Sequence, residues 1–563
     1  MRCSITGGPD RLSRSVVLCI AVSLTVLVTS AGLYAQTTRV ASTEDPALSD
    51  VARLLQAGRL EEAEAAVRSY LRGASRDANA HTLLGVILDQ RGRQTEAEQS
   101  YHAALKLDAK NVAARLNLGV LFARTKRIDQ AIEMFEAVLR VEPTNTKAIF
   151  NLGALYAARG DYARAIQILE PAANAQKTKT EVGDLGLLLM LTNAYVHAGR
   201  SHDADALADR IEQLAGTDPR TLFTLGLTLA EGQQYARAAR LFERTNALRP
   251  QMYEVLYNLG IAYYNLEQYD KAAQALSSAA TLAPKEAEPY YRLGLIASAR
   301  NDGTAALGYW AKAIDLRPTF AEANFMIGEE LLKRRMPENA VRFYTRALEL
   351  DATKLIYHIR LGVAHFRSRQ YQEARAIFTR AVERFPDDAN LYFLLGYAAR
   401  AEGQYDDAII AFKRSLELRP NNPDVFTNLG FIAGQRGQEA EAEHLFREAI
   451  KFDPDNFPAH HDLGRLLVKL KRYEEALPFL QRGASLNKQD PGVHYQLFLA
   501  YSRLKRKVDA DRELAIFKGF EDTRKHAPTP LGGGASGMST GDEATPPPLP
   551  SAAAGDVNKP RVP

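Results

Sequence analysis

The residues best equipped for chemistry are few and badly placed for it. His460 and His461 form a ligand-type pair, but neighbouring residues on a helix face different ways and do not share one ion. Ser485-Leu486-Asn487-Lys488 has the spelling of a serine nucleophile with a lysine base, a motif that works only in its own structural context. Here it falls at the junction between two repeated segments. Arg159-Gly160-Asp161 spells a cell-adhesion tripeptide at a turn where glycine is common (Gly58, Gly92, Gly199, Gly403, Gly437), and turn geometry accounts for it. No phosphate-binding glycine loop, zinc helix motif or paired-cysteine metal site is spelled. The chain reads as no enzyme, with no cofactor and no metal site.

What would position any functional side chain is a repeat. Alanine returns at one fixed place fourteen times, from Ala63 and Ala97 to Ala476 and Ala510, at intervals of 34 residues except for 39 between Ala165 and Ala204. Such a period marks small units that bury their apolar faces only by stacking. Twelve places before the alanine stands a leucine–glycine pair in most copies, as in Leu84-Gly85, Leu259-Gly260 and Leu463-Gly464; Val51, Thr192 and Phe498 replace the glycine in three. Four places after it comes a bulky apolar residue such as Tyr101, Phe242, Trp310 or Phe412, and seven copies then carry a proline. Apolar residues three and four apart, as in Tyr257, Ile261 and Tyr264, indicate helices. Glycine inside a helix costs about 1 kcal/mol against alanine, so its retention eleven times implies crowding where two helices cross. Proline separates one unit from the next. The expected fold is an all-α solenoid of fourteen helix–turn–helix units.

This pattern resembles the tetratricopeptide repeat, in an exported bacterial form, over 44–524, with units starting near 44, 78, 112, 146, 185, 219, 253, 287, 321, 355, 389, 423, 457 and 491. The resemblance implies a right-handed superhelix whose concave side is lined by the first helix of each unit. Three places before the glycine that side would carry Phe150, Phe223, Tyr257, Tyr291, Phe325, Phe393 and Tyr495. Two places before it stand Asn117, Asn151, Asn258 and Asn428, similar to the inner asparagine ladder in the repeat domain of O-linked N-acetylglucosamine transferases, whose catalytic half is missing here. A side-chain amide offers donors and an acceptor to the backbone of an extended peptide, and rings beside it offer anchoring area. Arg360, Arg367, Arg465 and Lys469 add cationic places toward the carboxyl end, against Glu254, Glu288, Glu322 and Glu329 in the middle. The lysine–asparagine clamp of chaperone-binding relatives is not spelled.

The ends differ in kind. Arg2, Arg11 and Arg14 precede an apolar stretch from Val16 to Val28 and the small-residue close at Ala35. Residues 1–35 therefore read as a secretory signal peptide, or as an uncleaved anchor tethering the chain through residues 16–34. Both place the array outside the cytoplasm, in the periplasm or envelope. Both cysteines, Cys3 and Cys19, lie in this segment. Residues 36–43 read as a linker, five extra residues fall within Ala175–Gly183, and 525–563 form a Pro/Gly/Ala-rich tail of disordered composition. Net charge is +4, too mild to indicate nucleic acid. The expectation is a non-enzymatic scaffold for proteins or extended peptides in envelope assembly or secretion. The alternative is a specificity subunit of a separate glycosyltransferase or polysaccharide machine.

Overall fold

The structure, a computed structural model, describes residues 45–175 and 185–526. The leader or anchor, the linker at 36–43, nearly all of the insertion and the tail from 527 lie outside the described residues. Twenty-eight α-helices follow one another, with no strand among the described residues, and make an all-α solenoid. They group into two compact units, one ending at Lys285 and one beginning at Glu286, each holding seven hairpins.

Local chemistry defines both ends of each hairpin. Nine first helices start on a capping carboxylate or amide: Asp45, Asp77, Asn111, Asn145 and Asp218 in the first unit, and Asp388, Asn422, Asn456 and Asp490 in the second, accept backbone N–H bonds from the opening turn. The turn into every second helix contains a left-handed residue at the same register. Glycine supplies it at Gly58, Gly92, Gly160, Gly199, Gly403 and Gly437, whereas Lys126, Gln233, Glu267, Asn301, Arg335, Arg369, Lys471 and Lys505 adopt it with a side chain. The last helix, Lys507–His526, ends two residues beyond the expected end of the array at 524.

The first helix packs on the second through the repeated glycine. A Cβ placed on Gly85, Gly119, Gly226, Gly362, Gly396 or Gly430 would lie 2.4–2.8 Å from the ring of Tyr101, Phe135, Phe242, Phe378, Phe412 or Phe446. Gly153, Gly260 and Gly464 meet Leu169, Leu276 and Leu480 equally closely. In two of the three exceptional copies the partner sixteen places on is smaller instead: Thr192 pairs in register with Ala208, and Val51 with Val67, all four buried. In the last copy Phe498 stands in register with Leu514, both half-buried.

This crowding sets a test. Gly294→Ala would bring a methyl within 2.3 Å of Trp310 Nε1, so it should destabilise the second unit by about 1–3 kcal/mol. Gly308→Ala, with nothing within 4 Å, should be neutral or stabilising. Urea titration followed by fluorescence of Trp310, the single tryptophan, checks both. In the first unit Ala208→Phe should be severely destabilising alone and largely rescued by Thr192→Gly.

Candidate partner-binding face

In the first unit Asn117, Asn151 and Asn258 sit on the first helices Val112–Arg124, Thr146–Ala158 and Tyr253–Asn265. Asn428 holds the same place in the second unit, on Pro423–Gln435. All four behave alike. Each Nδ2 donates to the carbonyl four residues back: Ala113 O at 3.0 Å, Lys147 O at 2.9 Å, Glu254 O at 2.7 Å and Asp424 O at 2.7 Å. Asn265 and Asn324, at other registers, make the same bond. One donor of every amide is therefore committed to its own helix, while each Oδ1 accepts no hydrogen bond among the described residues. Asn151 is half-buried and the other three are buried.

The rings three places before the glycine divide into two groups. Phe150, Phe223 and Phe325 are half-buried and Tyr495 is 40% exposed. Tyr257, Tyr291 and Phe393 are buried, because neighbouring rings of the same unit cover them. Tyr257 stacks on Tyr253 at 5.7 Å, Tyr291 lies 4.9 Å from Phe320, and Phe393 packs on Tyr397 and Phe412 at 6.0 Å. That corrects the expectation for these three: little ring area is left for a partner.

Three of the four cationic places in the second unit already have counter-charges. Arg360 lies 2.8 Å from Glu329, which also accepts the Tyr344 hydroxyl at 2.6 Å. Arg465 lies 3.1 Å from Asp462, and Lys469 3.1 Å from Glu439. Arg367 is exposed and makes no ion pair among the described residues.

A further group lies outside the residues expected from the sequence, although Arg465 shares one of its registers. Phe366 on Leu355–Arg367 lies 5.1 Å from Tyr397 on Ala389–Glu402. The Arg400 guanidinium then sits 4.9 Å from the Tyr397 ring and 4.6 Å from Phe431 on the next first helix. Its Nε is buried without a hydrogen-bond partner. The places one and four after the glycine would have pointed to this ladder.

The chemical spellings dissolve into local structure. His460 is buried, with Nε2 2.9 Å from Pro454 O; His81 and His358 make the same contact six residues back, to Ser75 O and Ala352 O at 3.1 Å. The Ser485 hydroxyl donates to Arg482 O at 2.7 Å. Gly160 is the left-handed residue of its turn, while Arg159 pairs with Asp129. Among the described residues no His, Cys, Asp or Glu group of three or more is gathered to hold a metal. No helix among them is long and apolar enough to cross a membrane.

Tetratricopeptide-repeat families match the chain at 53–111, 223–287 and 359–423, at 88–154, 124–185 and 433–497, at 411–444 and at 321–354. No curated protein matches it. Among solved structures it is similar to yeast Tom70, at 16% identity over 80% of this chain and 96% of that one, with a TM-score of 0.30. It is similar to YrrB, described as a TPR protein with an unusual peptide-binding site, at 26% identity over 34% and 98%, TM-score 0.31. The C-terminal part of a TPR repeat-containing protein from Cytophaga hutchinsonii is 18% identical over 42% and 97%, TM-score 0.38.

The histidine contacts predict a pH dependence. Burial holds the His358 imidazole below its ordinary pKa, against the Ala352 carbonyl bond that raises it. The folded chain thus favours the neutral ring, and the unfolded chain takes up the proton more readily. Stability should be full above the unfolded value of about 6.5 and fall as pH drops below it. Urea midpoints read from Trp310 at about pH 7.5 and about pH 5.5 should differ less in His358→Gln than in the unaltered protein. An equal drop in both would remove His358 from the account.

Proposed function

Because the chain belongs to the tetratricopeptide-repeat family, we propose that it is a non-enzymatic scaffold that holds extended protein segments along the first-helix face of its units. One observation carries the reading. Asn117, Asn151 and Asn258 in the first unit, and Asn428 in the second, present side-chain oxygens that nothing described in the chain uses. An acceptor at the same place in several repeats, adjacent for Asn117 and Asn151, suits the backbone N–H groups of a guest whatever its side chains. Half-buried Phe150, Ala154 and Leu189 lie on neighbouring first helices and supply apolar contact beside it.

The site of action we propose is the bacterial envelope. Its support is the basic, then apolar, then small-residue order of residues 1–35. Assembly or secretion at the envelope needs a scaffold that holds partners without altering them, and this face offers contact rather than chemistry.

The test is partner capture from an envelope extract, using the intact chain and a variant with Asn117, Asn151, Asn258 and Asn428 changed to alanine. Each lost hydrogen bond should weaken retention by about 1 kcal/mol, so the variant should lose its partners. Circular dichroism should stay unchanged, since each substitution removes only a bond within one helix turn. Identical partner sets from both proteins would take the asparagine row out of the explanation.

A further inference from the structure

We infer that Arg400 is a carboxylate receptor: it takes the side chain of an aspartate or glutamate inside the segment held on the first-helix face of the second unit. This rests on the scaffold reading and adds the chemistry of the guest.

Arg400 stands apart from the arginines around it, since Arg367, likewise without an ion pair among the described residues, is exposed and four others meet carboxylates. Arg360 pairs with Glu329, Arg375 with Glu402 and Asp407, Arg436 with Asp406 and Arg465 with Asp462. Arg400 has no carboxylate partner among the described residues, although it is half-buried. Two rings hold it instead, Tyr397 at 4.9 Å and Phe431 at 4.6 Å. Stacking of this kind suits a weakly hydrated guanidinium and reduces the freedom it would lose on binding. Its Nε already lies buried with no acceptor. A partly desolvated cation lacking a counter-charge is stabilised by any anion that reaches it, and the planar fork fits a carboxylate through two parallel hydrogen bonds.

The surroundings choose among anions. Asp424 and Asp462, on the two following first helices, and Glu329, on an earlier one, carry carboxyl groups. Glu329 and Asp462 are paired with Arg360 and Arg465, but the Asp424 carboxyl accepts only from Asn456 among the described residues. A polyanion laid along this face would meet an unneutralised carboxylate there, whereas one carboxylate at Arg400 would not. The position of Arg400 decides between a side-chain and a terminal carboxylate. First helices Glu288–Ala299, Ala321–Lys333 and Leu355–Arg367 precede its own, and Pro423–Gln435, Phe457–Lys469 and Pro491–Arg503 follow it. The guest can continue both ways from the anchored residue, so an internal acidic residue uses the face more fully than a chain end. The half-buried Phe431 ring beside the guanidinium favours an apolar residue next to the acid.

An array of immobilised peptides of varied sequence tests this, each made with aspartate, asparagine or alanine at its central place and with a free or amidated carboxyl end. The intact chain should retain aspartate forms about tenfold better than their asparagine twins, whether or not the end is amidated. Arg400→Gln should abolish that preference, and Arg400→Lys, which keeps the charge without the fork, should keep only part of it. Trp310 fluorescence and circular dichroism confirm that the variants are folded. Equal aspartate-to-asparagine ratios for the intact chain and Arg400→Gln overturn the inference and leave the scaffold reading standing. Loss of retention on amidation overturns it in favour of a terminal carboxylate. Arg400-dependent binding of a single-stranded DNA oligonucleotide overturns it in favour of nucleic acid. If the intact chain retains no peptide of any form, the scaffold reading fails and this inference fails with it.

Discussion

The contact between bare helix backbone at a glycine and the bulky side chain sixteen places on holds every typical hairpin together. Trp310 is the extreme case: it is fully buried, lies where a Cβ on Gly294 would be, and donates its Nε1–H to Tyr291 O at 3.1 Å. The balance of effects favours the arrangement. Glycine in a helix costs about 1 kcal/mol, while burying a large aromatic side chain returns about 2–3 kcal/mol. Thr192 with Ala208 shows that the seam also closes without glycine when the residue sixteen places on is small. Close approach on this side of each first helix leaves the asparagines, two places before the glycine, on a different side of that helix.

Polar contacts join one hairpin to the next within a unit. An arginine at the start of a second helix reaches back to a glutamate on the second helix before it. Arg127 lies 2.8 Å from Glu98 in the first unit, and Arg472 lies 2.6 Å from Glu443 in the second. Hydrogen bonds from these arginines hold the Glu98 and Glu443 carboxyls below the ordinary range. The pairs are partly exposed, so each contributes little alone.

The helices, their order and the hairpin seam were legible because a period of 34 residues repeats one solution to the packing problem. The turns were less so: eight of the fourteen left-handed turn residues carry side chains, and hairpin closure imposes that conformation whatever the residue. The face was legible only in part. Tyr257 and Phe393 occupy the register of Phe150 and Phe223, yet they are buried because Tyr253 and Tyr397 happen to cover them. The direction of the asparagine amides was also hidden, since an amide in a helix can turn to the carbonyl four residues back as readily as outward. Burial at a given register depends on which rings stand beside it, on the same helix for Tyr257 and Phe393 and at the start of the next copy for Tyr291, and the register alone does not weigh them.

The same dependence on neighbours explains how an almost uniform array can be selective. In the second unit the alanine of the hairpin seam never changes, from Ala306 to Ala510. The place four after the glycine reads Ser298, Leu332, Phe366, Arg400, Gly434, Val468 and Ser502. The frame is fixed and the face is free to vary, because the seam must satisfy volume whereas this register borders the next first helix and solvent. Arg400 is the one charge in that series, and its setting is built jointly: Tyr397 from its own helix, Phe431 from the following repeat. Moved one repeat earlier it would have Val363 and Tyr397 for neighbours in those places, and one repeat later Phe431 and Arg465. Only at its actual position do two rings flank the guanidinium, so the recognition property belongs to the stacking of successive copies and not to any one of them.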